Sequence, residues 1–174
     1  MKYAIIYESV GGNTKLVAQS IKTALLDNEC IFLGTPNECP KSLDCELFFI
    51  GSWCDKGTLS EKMKIIFPLL TNKKVALFGT CGFGKDPSYF ERISNNMKSA
   101  LPKDCTILPF SFVCQGKMAP TVRKRYEIML KDEQTKVQAE MMIKNFDMAL
   151  SHPDSEDLNK AKIFANKVME TVCK

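Results

Sequence analysis

Three short stretches hold residue types from which a binding site can be built. The first is Ser9-Val10-Gly11-Gly12-Asn13-Thr14, between an apolar run and a helical stripe. Backbone N–H groups at a helix N-terminus lack partners, and the helix dipole favours negative charge there. Gly11 and Gly12 let the backbone curl around an anion, and Ser9, Asn13 and Thr14 add side-chain donors. Read alone, the stretch is equally an ordinary capped turn. The second, Gly51-Ser52-Trp53-Cys54-Asp55-Lys56-Gly57, carries the sole Trp. An indole beside glycine suits stacking on a flat ring; a Trp folded back on the helices is the competing reading. The third runs from Gly79 through Thr80, Cys81, Gly82, Phe83, Gly84, Lys85 and Asp86 to Tyr89. Its glycine-flanked Phe83 reads equally as a stacking ring or as a hydrophobe anchoring the loop.

Other chemistries are excluded by spacing. The first stretch lacks the Gly-Lys-Ser/Thr of a Walker A loop and is not a G-x-G-x-x-G dinucleotide turn. The eight cysteines, at 30, 39, 45, 54, 81, 105, 114 and 173, include no C-x-x-C pair. The single His152 cannot complete a zinc pattern, so no metal site is expected. We expect His152 to be a loop residue and no residue to be catalytic. No Arg stands six positions after any Cys, which removes the C-x5-R phosphatase class. Free thiols without a secretory pattern fit a reducing cytoplasm.

The elements that must position these stretches alternate. Lys2 to Tyr7 is a buried strand, followed by a helix with Leu16, Val17, Ser20, Ile21, Ala24 and Leu25 on one stripe. Cys30–Leu33 and Leu47–Ile50 are further strands, with a Pro-containing loop over 34–42 between them. Thr58 and Glu61 have capping-box spacing and start a helix to about Leu70, distorted by Pro68. Lys74–Phe78 is a fourth strand, 87–100 a helix with Pro at its first turn, and Cys105–Val113 a fifth strand. Alternating strands and helices with continuous apolar strands predict an α/β fold: a parallel sheet covered on both faces. Apolar runs are far below the ~18 residues a membrane helix needs. The 174 residues fit one domain.

In such a sheet, ligands bind beyond the carboxyl ends of the strands, where strand order switches. The loops after strands one, three and four meet there. A phosphate cradle with two aromatic loops describes a flat ring carrying one phosphate tail, which is flavin mononucleotide (FMN). A phospho-receiver domain would need acidic residues after strand one and an Asp ending strand three. Here strand one ends in a lone Glu8, and Asp55 lies past strand three.

The stretch Ser9 to Thr14 resembles the flavodoxin phosphate loop S/T-x-T-G-x-T, with Gly11 where a Thr is usual. Gly51 to Gly57 resembles the Trp-bearing flavin loop, and Gly79 to Tyr89 the loop after strand four. The resemblance covers about 1–113 plus the last helix. It implies a three-layer flavodoxin-like fold, strand order 2-1-3-4-5, with non-covalent FMN. It implies that FMN is held by Ser9, Val10, Gly11, Gly12, Asn13 and Thr14, by Ser52, Trp53, Cys54, Asp55, Lys56 and Gly57, and by Thr80, Cys81, Gly82, Phe83, Gly84 and Tyr89. A carbonyl of Cys54, Asp55 or Gly57 would accept from flavin N5. Asp55-Lys56-Gly57-Thr58, Cys114-Gln115-Gly116-Lys117 and Ser151-His152-Pro153-Asp154 resemble a subgroup of small bacterial flavodoxin-like proteins. That subgroup includes an accessory of bilirubin reductase, which implies a reductase as redox partner.

The chain exceeds what that core requires. Ser155 to Cys173 is an amphipathic helix closing the sheet. The segment 115–154 holds two helical stretches, at about 120–131 and 134–150, and five of the nine Met. It reads as an extra hairpin packed on the core, or as an adaptable docking surface or lid. The net charge of +4 is too mild for a nucleic-acid binder. A local cluster, Lys117, Arg123, Lys124 and Arg125, is a solvated helix face or a docking point for an acidic partner. Around the flavin loops, Lys56 and Lys85 offset Asp55 and Asp86.

Three functions remain: an electron carrier to a partner reductase, an FMN-dependent reductase of a small organic acceptor, and a flavin-free interaction protein. With no second nucleotide-binding motif, direct NAD(P)H use is the less favoured case.

Overall fold

The structure is a computed structural model and describes residues 1–25, 28–84 and 86–173; Lys85 lies outside the described residues. Strands β1 (Lys2–Glu8), β2 (Glu29–Gly34), β3 (Leu47–Trp53), β4 (Lys74–Cys81) and β5 (Thr106–Gln115) form one parallel sheet. Its order is β2-β1-β3-β4-β5. The switch in order lies between β1 and β3, so the loops after these strands open on one crevice.

Alternation along the central strands builds two cores. Tyr3, Ile5, Phe49 and Phe78 face helices α1 (Asn13–Ala24) and α5 (Ser155–Val172), against Val17, Ile21, Phe164 and Val168. Ala4, Ile6, Phe48, Ile50, Val75 and Leu77 face the opposite layer. That layer is helix α2 (Pro87–Ser99) and a 3-10 segment, Glu61–Leu70, which supply Met63, Ile66, Leu70, Ile93 and Met97. Because both faces are covered, β1, β3 and β4 carry unbroken apolar runs. Burying each large side chain contributes about 1.5–3 kcal/mol.

Helices α3 (Pro120–Met129) and α4 (Lys136–Ala149) form the insertion between β5 and α5. Arg123 ties them together: it pairs with Glu127 at 3.1 Å and with Asp147, and its guanidinium lies 5.6 Å from the Phe146 ring centre. One cation of the expected basic cluster is therefore spent inside the hairpin.

Several boundaries differ from expectation. β3 and β4 run three residues past their expected ends and β5 two, so Gly51, Ser52, Trp53, Gly79, Thr80 and Cys81 are strand residues. Gly51 is a packing residue, since a methyl there would collide with the Phe78 ring. The Thr58 capping box does not form. The N–H and carbonyl of Thr58 pair with Asp55, its hydroxyl donates to the Asn96 carbonyl at 3.2 Å, and the helical segment starts after Ser60 without a side-chain cap. That segment is 3-10 rather than α, and Pro68 within it has no N–H for an α-helical bond. A capping box forms instead in the loop over 34–42, where Thr35 and Glu38 close a turn of 3-10 helix, Pro36–Glu38.

Candidate functional site

The loop after β1 is shaped by Gly12, whose φ of +85° is left-handed and suits glycine. No atom lies within 4 Å of a methyl placed there, so the loop's outer side is open. α1 starts at Asn13 without a side-chain cap. Its first helical bond is Leu16 N–H to the Gly12 carbonyl, and the Lys15 N–H donates to Ser9 Oγ at 3.3 Å. Val10 and Gly11 are exposed. Beneath the loop, Glu8 is buried and accepts from Lys62 Nζ at 3.2 Å. Thr14 is fully buried, and its hydroxyl meets that of Thr80 at 2.9 Å.

The loop after β3 is a tight turn. Asp55 and Thr58 exchange two backbone hydrogen bonds of 3.0 Å, with Lys56 at φ +49° and Gly57 at φ +89°. Two left-handed central residues make it a type I′ turn, a strained choice for Lys56. Asn96 of α2 donates to the Gly57 carbonyl at 3.1 Å. Of the three carbonyls considered for flavin N5, those of Asp55 and Gly57 thus already accept a hydrogen bond. Cys54 donates its N–H to the Thr80 carbonyl at 2.8 Å, which ties this loop to β4. Burial pushes its thiol pKa up. Ser52 is fully buried and braces the turn, its Oγ accepting from Ser60 N–H at 2.9 Å. Trp53 is half-buried, and its Nε1 is a buried donor without a partner among the described residues.

The loop after β4 presents Phe83, 36% exposed, with its ring 6.1 Å from that of Tyr89. Arg92 lies over Tyr89 at 5.1 Å from its ring centre, and burial pushes the tyrosine hydroxyl pKa up. Thr80 and Cys81 are buried. The Cys81 thiol donates to the Phe83 carbonyl at 3.2 Å, and burial pushes its pKa up to about 12. Asp86 caps α2, accepting from Ser88 N–H at 2.9 Å. Hydrogen bonds from Ser88 hold its carboxyl below the usual range.

A fourth contribution comes from beyond β5. The Gly116 N–H donates to the Cys81 carbonyl at 2.9 Å, and Asn13 Nδ2 donates to the Lys117 carbonyl at 2.9 Å. A methyl on Gly82 would stand 2.6 Å from Met118 Sδ, and one on Gly84 would collide with Gln115. Gln115 Nε2 and Asn145 Nδ2 both donate to the Gly82 carbonyl, at 3.0 and 2.9 Å. In the sequence, Gln115, Gly116 and Lys117 stand out only as a subgroup-like stretch, Lys117 also as part of the basic cluster and Met118 as one of the five methionines of the segment; Asn145 carries no signal. His152 is a loop residue, as expected. Its Nδ1 lies 2.6 Å from Asp157 Oδ2, beside the reciprocal Asp154–Asp157 cap that starts α5.

The structure therefore brings all three predicted loops to one sheet edge. The arrangement offers uncapped helix N–H groups, an accessible aromatic ring, a second ring ending β3 and few free charges. Two buried polar atoms there, Trp53 Nε1 and Asn13 Oδ1, have no partner among the described residues. Such atoms are costly to leave unpaired. These features fit a planar ring with an anionic tail.

The family model for the flavodoxin domain matches residues 4–166. The chain is 34% identical over 176 residues to the flavodoxin-like domain-containing protein BilS of Clostridioides difficile (strain CD3), covering 97% of each. It is 34% identical over 173 residues to the protein of the same name from Clostridium symbiosum (strain WAL-14163), covering 91% of this chain and 90% of the relative. Among solved structures, a flavodoxin from the domain Archaea superposes with a TM-score of 0.60 at 16% identity, with both chains fully covered. Oxidised flavodoxin 2 from Bacillus cereus gives 0.55 at 19%, covering 98% of this chain and 99% of that one.

Proposed function

Because the chain belongs to the flavodoxin domain family, we propose that it binds FMN non-covalently and carries electrons to a partner reductase. The observation that carries this reading is the convergence of the loops after β1, β3 and β4, joined through Thr80 to Thr14 and Cys54. FMN would supply the redox chemistry, accepting and donating electrons. The protein's part is to bind and tune. The first turn of α1, with Ser9 to Thr14, would hold the phosphate through backbone N–H groups. Trp53 and Phe83 would flank the ring and exclude water, with Tyr89 backing Phe83. Gly57 lets the turn after β3 change its peptide orientation at little steric cost; Cys54 is the one candidate whose carbonyl has no partner among the described residues. On this reading the protein needs no side chain as a catalytic acid or base.

The redox partner would dock on the segment 115–150. Val137, Met141 and Met148 lie exposed on α4, and adaptable methionines suit a protein contact. A bilirubin-reductase-type enzyme is the partner class that the sequence resemblance implies. The cytoplasm is the compartment we assign, on the strength of eight free cysteines. No described helix is long and apolar enough to cross a membrane.

A second reading, an FMN-dependent reductase of a small organic acceptor, is favoured by Gln115 and Met118 lying against the loop after β4. Visible spectra during stepwise anaerobic reduction decide between the two. A carrier takes up electrons in two separate one-electron steps; a reductase takes both together and is reoxidised by its acceptor. A colourless protein that added FMN cannot reconstitute would overturn both.

A further inference from the structure

One polar contact of α4 reaches the loop after β4. Asn145 Nδ2 donates to Gly82 O at 2.9 Å, Gln115 Nε2 donates to the same oxygen at 3.0 Å, and Gln115 Nε2 lies 3.1 Å from Asn145 Oδ1. Gln115 is 4% exposed and Asn145 half-buried, so this three-membered network is sheltered from water. Gly82 immediately precedes Phe83. The carbonyl of the Gly82–Phe83 peptide and that of the next, Phe83–Gly84, are both held, since the Phe83 carbonyl accepts from Cys81 Sγ. The Gly82 carbonyl is thereby held by a residue 63 positions further along the chain, in a helix the sheet does not need.

The same helix exposes its apolar stripe close by. At about 100° per residue, Asn145 stands roughly 40° around α4 from Met141 and roughly 60° from Met148. Those two side chains are 63% and 41% exposed. A rotation or shift of α4 on contact there moves Asn145 with it, because the helix is one hydrogen-bonded body.

We propose that Asn145 is a positioning residue. It holds the Gly82–Gly84 segment, and through it the Phe83 ring, in the pose that faces the flavin, and so links the docking face of α4 to the site. The flavin part of this proposal rests on the FMN reading above; the loop part does not.

The test is Asn145→Asp, which keeps the shape and the acceptor but removes the donor to Gly82, beside Asn145→Ala. Amide hydrogen exchange of Gly116, whose N–H donates to the Cys81 carbonyl at 2.9 Å next to Gly82, reads the loop in the flavin-free protein. Both variants should speed that exchange about tenfold, the factor expected when a sheltered carbonyl loses one neutral donor. With flavin, both should weaken FMN and riboflavin by the same factor, because the lost contact concerns the ring and not the phosphate. Wild-type exchange rates in a folded Asn145→Asp protein would overturn the proposal, as would a loss confined to FMN. If the wild-type protein binds no flavin, the FMN reading fails, while the exchange rates still decide whether Asn145 holds the loop.

Discussion

Thr14 Oγ1 and Thr80 Oγ1 lie 2.9 Å apart and buried, one in the first turn of α1 and the other near the end of β4. This bond joins the proposed phosphate loop to the strand that leads into Phe83. It makes Thr14 a structural residue and a ligand candidate at once, and the two roles can be separated.

Thr14→Val should lower stability by about 1–3 kcal/mol, because it leaves the Thr80 hydroxyl buried without its partner. On the proposed reading it should also weaken FMN more than riboflavin, since the hydroxyl would turn from Thr80 to the phosphate. Adding Thr80→Val should restore most of the stability but not the FMN affinity. Urea melts and flavin titrations read the two effects separately; equal losses of FMN and riboflavin would remove Thr14 from the phosphate site.

Trp53 combines a half-buried ring with an unpartnered Nε1. Trp53→Phe removes the orphan donor and keeps a stacking ring, so stability should hold or rise. Trp53→Ala should weaken FMN and raise the residual flavin fluorescence. Unchanged affinity for Trp53→Ala would assign the indole to packing alone.

Gly51 offers a test of the fold independent of any cofactor. A methyl on Gly51 would overlap the Phe78 ring, so Gly51→Ala forces that buried ring or its strand to move. We expect a loss of about 1–3 kcal/mol, as for overpacked cores. Phe78→Leu, made together with it, should recover part of the loss in thermal melts; a double variant no more stable than Gly51→Ala would show that the ring is not the obstacle.

Alkaline pH should destabilise the protein through its buried thiols. Burial raises the pKa of Cys81 to about 12 and of Cys45 to about 11, and pushes Cys114 up as well. A raised folded pKa means that the native state keeps protons the unfolded chain releases. Their contribution is therefore complete below about pH 9 and declines as pH rises towards the folded values. Each such thiol costs up to about 1.4 kcal/mol per pH unit in that window. Cys81→Ala should flatten the decline between pH 9 and 11 in urea melts; an unchanged slope would contradict the assignment.

The apolar runs of β1, β3 and β4 were legible because each strand's burial on both faces is written in its own consecutive residues. Phe83 was legible as a ring-bearing loop position for the same local reason, whereas Trp53 ends β3 instead of lying in the loop. The strand ends were not. Gly51 and Gly79 read as turn signals, but close packing against Phe78 and Met97 keeps them in the sheet. The Thr58–Glu61 spacing likewise read as a cap, until pairing with Asp55 and Asn96 claimed Thr58 first.

By itself, the sequence determined the α/β order, the three loops and the aromatic rings they carry. Those are set by propensity and periodicity among near neighbours, which linear spacing records. Only the tertiary structure decided that Thr14 meets Thr80, that Gln115 and Asn145 share the Gly82 carbonyl, and that Gly116 joins Cys81. These contacts exist only once the strands take their crossed order and the insertion folds back over their ends. Polar residues such as Gln115 and Asn145 carry no periodic signal for a partner so far along the chain.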